Sequence, residues 1–195
     1  AFALNAGTLD ARGDFAADTA DFAGGAAVFA ETATVTLGDA TFDVDVDFNG
    51  AALSVDSAAV NAGVTAAGAV GGDANWAISS TGHLTREGAA GGSYTLDGGQ
   101  LSVLADGDAD LGGSITMTAS STLAIDRLTD AGGEGKTLGF ASLALAGPEA
   151  ITATLAAGNG YGVAFDSVSV DVPDANGFAS TIALGGADTE IAALA

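Results

Sequence analysis

Apolar and polar residues alternate along several short stretches of the chain, and the clearest of these spans residues 41–60. Successive side chains of a β-strand point to opposite faces of the sheet. The alternation therefore predicts a strand with an apolar inner face and an acidic outer face. The inner residues are Phe42, Val44, Val46 and Phe48, and the outer residues are Thr41, Asp43, Asp45 and Asp47.

Asn-Gly pairs interrupt the alternation at positions 49–50, 159–160 and 176–177. Asn-Gly between alternating stretches is a strong signal for a tight β-hairpin, because both residues tolerate positive φ. A two-residue turn at Asn49 would pair apolar positions with apolar positions and would place Asp43 opposite Asp56. The sequence therefore predicts antiparallel pairing on both sides of these turns.

The same alternation predicts further strands at residues 94–96, 100–104, 114–125, 151–155, 163–172 and 178–184. In the 163–172 strand the apolar parity changes between Phe165 and Val168, which predicts a β-bulge at Asp166 and Ser167. Helix is scarce. Residues 10–23 have helical spacing but are equally compatible with a polar loop, and residues 187–195 form a weaker helical candidate. The expected fold class is all-β, an antiparallel sandwich or barrel built from hairpins and meanders, with at most one or two short helices.

The length of 195 residues favours a single domain. We expect an N-terminal segment, residues 1–24, followed by a single β domain over residues 25–195. Residues 98–108 and 112–119, with their Gly, Leu and Thr spacing, resemble the coils of β-helical adhesins of the filamentous haemagglutinin type. That resemblance implies a parallel solenoid, whereas the hairpins expected on both sides of the segment favour the antiparallel arrangement.

Charge narrows the possible partners, since 25 acidic residues stand against 4 basic ones and the net charge is −21. Nucleic acid and anionic lipid are excluded as partners, because both require clustered Lys and Arg. No apolar run approaches the roughly 20 residues of a membrane-spanning helix. The absence of cysteine excludes disulfides and cysteine-ligated metals. A surface with this much negative charge suits saline or calcium-containing surroundings.

Two features favour an exported protein. The chain begins with Ala1, as it would after removal of a signal peptide, and none of its six asparagines lies in an N-glycosylation motif. We therefore expect an extracellular or cell-surface location in a prokaryote, reached through a cleaved signal peptide.

Catalytic motifs are scarce. His83 is the only histidine, so any Ser-His-acid triad must include it, and no Gly-x-Ser-x-Gly motif is present. Its polar surroundings indicate an exposed loop histidine. The sequence offers no basis for choosing a catalytic carboxylate pair among 25 acids, and we expect no enzymatic activity.

The carboxylates make a stronger case as calcium ligands. Asp106, Asp108 and Asp110 are spaced like the start of a calcium loop, but Leu111 and Met117 occupy positions that an EF-hand reserves for Gly and Glu. The alternatives are a calcium site of another type and an ordinary solvated turn. A bound cation would also relieve the repulsion between Asp43 and Asp56, which the hairpin would place opposite each other.

Phe2 and Leu4 alternate with polar or small neighbours and predict a short N-terminal strand. It could be donated to the sheet edge of a neighbouring copy, or it could be the first strand of its own sheet. The expected function is a non-enzymatic structural subunit of a microbial filament, sheath or surface layer, assembled with copies of itself. The alternative is a secreted β-barrel or β-sandwich module that binds a small ligand or a macromolecule.

Overall fold

A computed structural model describes residues 1–66, 70–71, 74–88, 91–171, 180–185 and 188–191. These residues form strands, with a 3₁₀ turn at Asp130–Gly132. The first strands are β1 Phe2–Leu4, β2 Thr8–Ala11, β3 Phe15–Phe22, β4 Ala26–Phe29, β5 Thr34–Phe42, β6 Val46–Asp47, β7 Ala52–Val60, β8 Gly63–Ala66, β9 Val70–Gly71, β10 Asn75–Ile78 and β11 His83–Glu87. The later strands are β12 Ser93–Asp97, β13 Gln100–Leu104, β14 Ala109–Asp110, β15 Ser114–Ala119, β16 Ser121–Asp126, β17 Thr137–Leu145, β18 Thr152–Ala157, β19 Gly162–Val170, β20 Thr181–Gly185 and β21 Asp188–Ile191.

The strands form two parallel sheets, so the chain is a β-solenoid. The twelve-stranded sheet follows the order β1-β3-β5-β7-β10-β12-β15-β17-β19-β21, with β9 and β14 paired at its side. The nine-stranded sheet follows the order β2-β4-β6-β8-β11-β13-β16-β18-β20. The predicted all-β character is confirmed. The predicted antiparallel sandwich or barrel of hairpins and meanders is wrong, because every described strand pair is parallel.

The cause of the error is visible at Asn49 and Gly50. Both have positive φ, 46° and 80°, and the Ala51 amide donates to the Phe48 carbonyl at 2.8 Å, so the tight turn forms as predicted. However, the turn carries the chain from β6 in one sheet to β7 in the other. Asn159 and Gly160 make the same kind of corner between β18 and β19. The turn residues specify a local reversal, and they do not specify which strands pair afterwards.

Pairing instead joins residues one coil apart. Phe42 pairs with Val60, Val60 with Ile78, and Ile78 with Leu96, each step spanning 18 residues. The pairs among the first strands are 18 to 20 residues apart, whereas β17 and β19 are paired at a spacing of 25. The repeat is one of spacing rather than of residue identity, and its length changes along the chain.

The core lies between the two sheets and runs along the solenoid as one apolar cluster. Aromatic rings stack on their counterparts in the next coil at the N-terminal side, as Phe22 does on Phe42 at 5.2 Å and Phe29 on Phe48 at 4.8 Å between ring centroids. Phe42, Val46 and Phe48 are buried, which confirms the predicted inner face; Val44 is partly buried.

In several strands of the twelve-stranded sheet, the buried positions switch between odd-numbered and even-numbered residues midway along the strand. Phe165 and Val168 are both buried while Asp166 is exposed, so the predicted irregularity is present. The register between β17 and β19 is the same on both sides of it, and β5 and β7 change parity in the same way. The change is therefore shared by neighbouring coils and is not one extra residue in one strand.

Five local predictions fail or lie wholly or partly outside the described residues. Neither alternative for residues 10–23, a helix or a polar loop, is found, because β3 occupies most of this stretch and is held by parallel pairing with β1 and β5. The strand predicted at 114–125 is divided at Ser120 into β15 and β16, which belong to different sheets. The turn at 176–177 lies outside the described residues, as do most of the 187–195 tail and the start of the 178–184 strand.

Engineered disulfides test the parallel register directly, because the chain has no cysteine of its own. Thr41 and Ala59 are direct partners on β5 and β7. Neighbouring strands are about 4.8 Å apart, within the Cα separation that a disulfide requires. We expect the Thr41→Cys, Ala59→Cys double variant to form an intramolecular disulfide, measured as a shift on non-reducing gels and a mass loss of two hydrogens.

The matched control is the Asp43→Cys, Asp56→Cys double variant, which the hairpin would cross-link. In the solenoid Val55 pairs with Leu37, so Asp56 lies beside position 38. Asp43 is five residues further along the strand direction, which places it roughly 16 Å from Asp56. Cross-linking of the control pair, but not of the first pair, would contradict the parallel fold.

Candidate functional site

Aspartate side chains join successive coils along the edges of the solenoid. In each case a carboxylate accepts a hydrogen bond from a residue 18 to 33 positions later, in the next coil. We call these carboxylates the inter-coil aspartates: Asp14, Asp39, Asp43, Asp45, Asp97, Asp106, Asp108 and Asp126. Many of the surface carboxylates therefore stabilise the contacts between successive coils.

The three aspartates predicted as a calcium loop are bonded to different parts of the chain. Asp106 accepts from the Thr129 amide at 2.7 Å and from the Thr129 hydroxyl at 2.6 Å. Asp108 accepts from the Thr137 amide at 2.8 Å and lies 3.7 Å from the Lys136 ammonium. Asp110 accepts from the amide of Gly112 at 3.1 Å. Asp106 and Asp108 thus anchor the long excursion between β16 and β17.

Asp43 and Asp56 do not face each other. Asp43 follows β5 and accepts from the Asn61 amide group at 2.7 Å, whereas Asp56 lies within β7 and is exposed. The like-charge contact inferred from the hairpin is therefore wrong. Within the described part of the chain, no three acidic or histidine side chains are grouped so that they could hold a metal ion.

Phe2 and Leu4 lie on β1, which pairs in parallel with β3 of the same chain. Leu4 is buried, and the Phe2 ring packs edge-on against Phe15 at 5.1 Å. The N-terminal strand is thus the first strand of its own sheet in this structure. Among the described residues no strand pairs with the outer edge of β1 or of β2.

His83 lies at the start of β11 and not in a loop. Its Nε2 atom is 2.9 Å from the Ser102 hydroxyl oxygen. The Gln100 amide nitrogen lies 3.0 Å from that oxygen and 3.3 Å from His83 Nε2. Gln100 is the direct register partner of His83, and Ser102 is that of Thr85, so two adjacent parallel strands hold the three side chains together.

Each side of this cluster opens onto a groove in the outer face of the nine-stranded sheet. The groove beside His83 has a volume of about 580 Å³ and is also lined by Asp45, Asp47 and Thr65. The groove beside Ser102 has a volume of about 370 Å³, and its walls include Leu104, Ala124 and Ala156. Ser102 itself is only 9% exposed.

The sequence contains the single histidine and predicts the strand at 100–104, but it does not connect them. The connection depends on the parallel register, which places positions 83 and 100 side by side although they are 17 residues apart. The signal was the polar residues Gln100 and Ser102 on alternate positions of a predicted strand.

A buried cation lies inside the solenoid. Arg86 is fully buried, with its guanidinium 5.7 Å from the centroid of the Trp76 ring and Nη1 donating to the Tyr94 hydroxyl at 3.4 Å. Burial lowers the pKa of Arg86 and raises the pKa of Tyr94. The alternation of the sequence does not predict this contact, because Arg86 occupies an inward position that alternation assigns to apolar residues.

Comparisons with protein-family models, with curated proteins and with solved structures found no match. In the described portion of the chain, no helix is long and apolar enough to cross a membrane.

The hydrogen bonds from Thr129 hold the pKa of Asp106 below its usual value. A carboxyl with a lower pKa in the folded state contributes stability above its unfolded pKa of about 3.9. That contribution is lost as pH falls through the folded pKa. We expect Asp106→Asn to lower the denaturation midpoint at neutral pH, and the difference from the unmodified chain to shrink towards pH 3.

Urea denaturation across this pH range is the measurement. Glu134→Gln is the matched control, since it removes a charge from the same excursion at an exposed position. A difference between Asp106→Asn and the unmodified chain that stays constant with pH would contradict the assignment.

Proposed function

We propose that this chain is a structural subunit of an extracellular microbial assembly, a filament, sheath or surface layer, in which solenoids stack end to end. The observation that carries the proposal is the pair of open strand edges at the first coil. The outer edges of β1 and β2 have no partner within the described residues, and all strands of each sheet run in the same direction. Open edges are templates for pairing with another chain.

The side chains at this end of the solenoid support this role. Phe2, Leu9 and Ala11 of the first coil, and Phe15 at the start of β3, are partly exposed and pack against the apolar core. A further coil placed on this end would bury them, as each internal coil buries those of its neighbours. In this proposal Phe2 and Leu4 lie on the edge strand against which another copy stacks. The strand itself stays in its own sheet and is not donated to the other copy.

Charge makes contacts between copies dependent on salt. A net charge of −21 makes the packing of two copies repulsive. The repulsion decreases with ionic strength. An extracellular saline setting is consistent with these requirements, and we include it in the proposal.

Leu9→Lys tests the end contact by placing a charge on the edge strand β2, where Leu9 is partly exposed. We expect the mass of the unmodified chain to increase with concentration in light scattering and linear particles to be visible by negative-stain electron microscopy. Leu9→Lys should remain monomeric, because a charged side chain on a sheet edge opposes strand addition.

Thr36→Lys is the control with the same change in charge, placed on the exposed lateral face of β5. It should associate at least as well as the unmodified chain. A monomeric unmodified chain at all concentrations, or equal behaviour of the two variants, would contradict the proposal.

Calcium enters the proposal as an aid to stability, associated with Asp106, Asp108 and Asp110, which occupy alternate positions in the sequence. We expect calcium to raise the unfolding temperature more than sodium does at matched ionic strength, since a ligand that binds only the native state stabilises it. Thermal unfolding followed by circular dichroism is the measurement. Equal increases with both salts would show that screening alone is responsible.

A further inference from the structure

We propose that Ser102 and His83 form a nucleophile–base pair that cleaves small, neutral acyl esters on the outer face of the nine-stranded sheet. The distance of 2.9 Å between the Ser102 hydroxyl oxygen and His83 Nε2 lies within the range of serine–histidine nucleophile pairs. This activity goes beyond the structural role and does not depend on it.

Gln100 lies beside both reacting atoms. Its amide nitrogen is 3.0 Å from the Ser102 oxygen and 3.3 Å from His83 Nε2. In the neutral tautomer that carries its proton on Nδ1, Nε2 has one lone pair, and this lone pair accepts the Ser102 hydroxyl proton, as a general base must. The shorter contact assigns the Gln100 N–H to the Ser102 oxygen, which leaves the Nε2 lone pair to the Ser102 hydroxyl.

The backbone fixes the geometry. All three side chains project from β11 and β13, which are paired with each other and flanked by β8 and β16. Strand positions within a sheet are more rigid than loop positions, which favours a maintained reacting distance.

Asp45 lines the groove on the other side of His83. Gly63 is the register partner of His83, and the Gly63 amide donates to Asp45 Oδ1 at 2.7 Å. A Cβ atom at position 63 would lie only 2.8 Å from that oxygen. Glycine at position 63 therefore leaves room for the Asp45 carboxylate beside the register partner of His83.

The groove beside Ser102 indicates the substrate class. Its volume is about 370 Å³, and Ala124 and Ala156 provide methyl walls, which suit a short acyl chain. The strongly acidic surface repels carboxylate and phosphate substrates. A neutral ester with a short acyl group fits both features.

The reaction is balanced with water as the only co-reactant. The Ser102 oxygen attacks the carbonyl carbon while its proton passes to His83 Nε2, and the ester C–O bond breaks as the leaving alkoxide takes that proton. Water, deprotonated by His83, then attacks the acyl carbon, the bond between that carbon and the Ser102 oxygen breaks, and the proton returns from His83 to the Ser102 oxygen as the carboxylic acid leaves. The Gln100 amide nitrogen lies 3.0 Å from the Ser102 oxygen and donates to the attacking atom.

A fluorophosphonate probe and p-nitrophenyl acetate test the proposal on the full chain. We expect peptide mass mapping to find the phosphonate on Ser102, and ester cleavage to rise with pH across the range in which a histidine titrates. Ser102→Ala should abolish labelling, and His83→Gln should slow it at least tenfold, which is a modest value for loss of a general base. Ser57→Ala, a serine on the other sheet, is the control and should leave labelling unchanged.

A second measurement uses the absence of cysteine from the chain. Ser102→Cys introduces one thiol beside His83, and Ser57→Cys introduces one thiol away from it. We expect iodoacetamide to alkylate Cys at position 102 faster than at position 57, and His83→Gln to remove the difference, with circular dichroism confirming that each variant folds. Labelling that is absent from Ser102, equal among serines or insensitive to His83→Gln would overturn the proposal.

Discussion

The structure depends on parallel hydrogen bonding between the backbones of successive coils. A single coil has no partner within itself for its strand amides and carbonyls, so the coil before it and the coil after it must supply them. This requirement explains why a chain with variable coil lengths still keeps its register. Loops between strands can lengthen, as they do after β16, while the paired segments continue to align. The same requirement leaves backbone groups available wherever the stack stops.

The acidic composition is compatible with such a stack because many carboxylates have defined partners in it. The inter-coil aspartates accept hydrogen bonds from the following coil, and hydrogen bonds to charged groups are stronger than neutral ones. The surface basic residues are likewise paired, as Arg12 is with Asp10 and Arg127 with Asp130. The negative charge thus opposes association between molecules while it supports contacts within one molecule.

The sequence predicted local features well and global pairing poorly. The β13 strand coincides with the predicted 100–104 segment, and the Asn49 and Asn159 turns have the expected positive φ. Alternation and Asn-Gly turns, however, fit both a hairpin and a solenoid corner. Only the 18-residue spacing of Phe42, Val60 and Ile78 distinguishes the two, and later coils depart from that spacing. For the same reason His83 and Ser102 could not be placed together before the register was known.

The first and last strands of the twelve-stranded sheet, β1 and β21, lie at opposite ends of the stack. Tension applied between these strands would act along the solenoid axis and would load the hydrogen bonds between all coils in series. A coil at the end of the stack is paired on one side only, so coils would detach one at a time from the ends, and each released coil of 18 to 25 residues would add roughly 60 to 80 Å of extended chain. A molecule built in this way yields gradually under a pull and can absorb strain without breaking its remaining core.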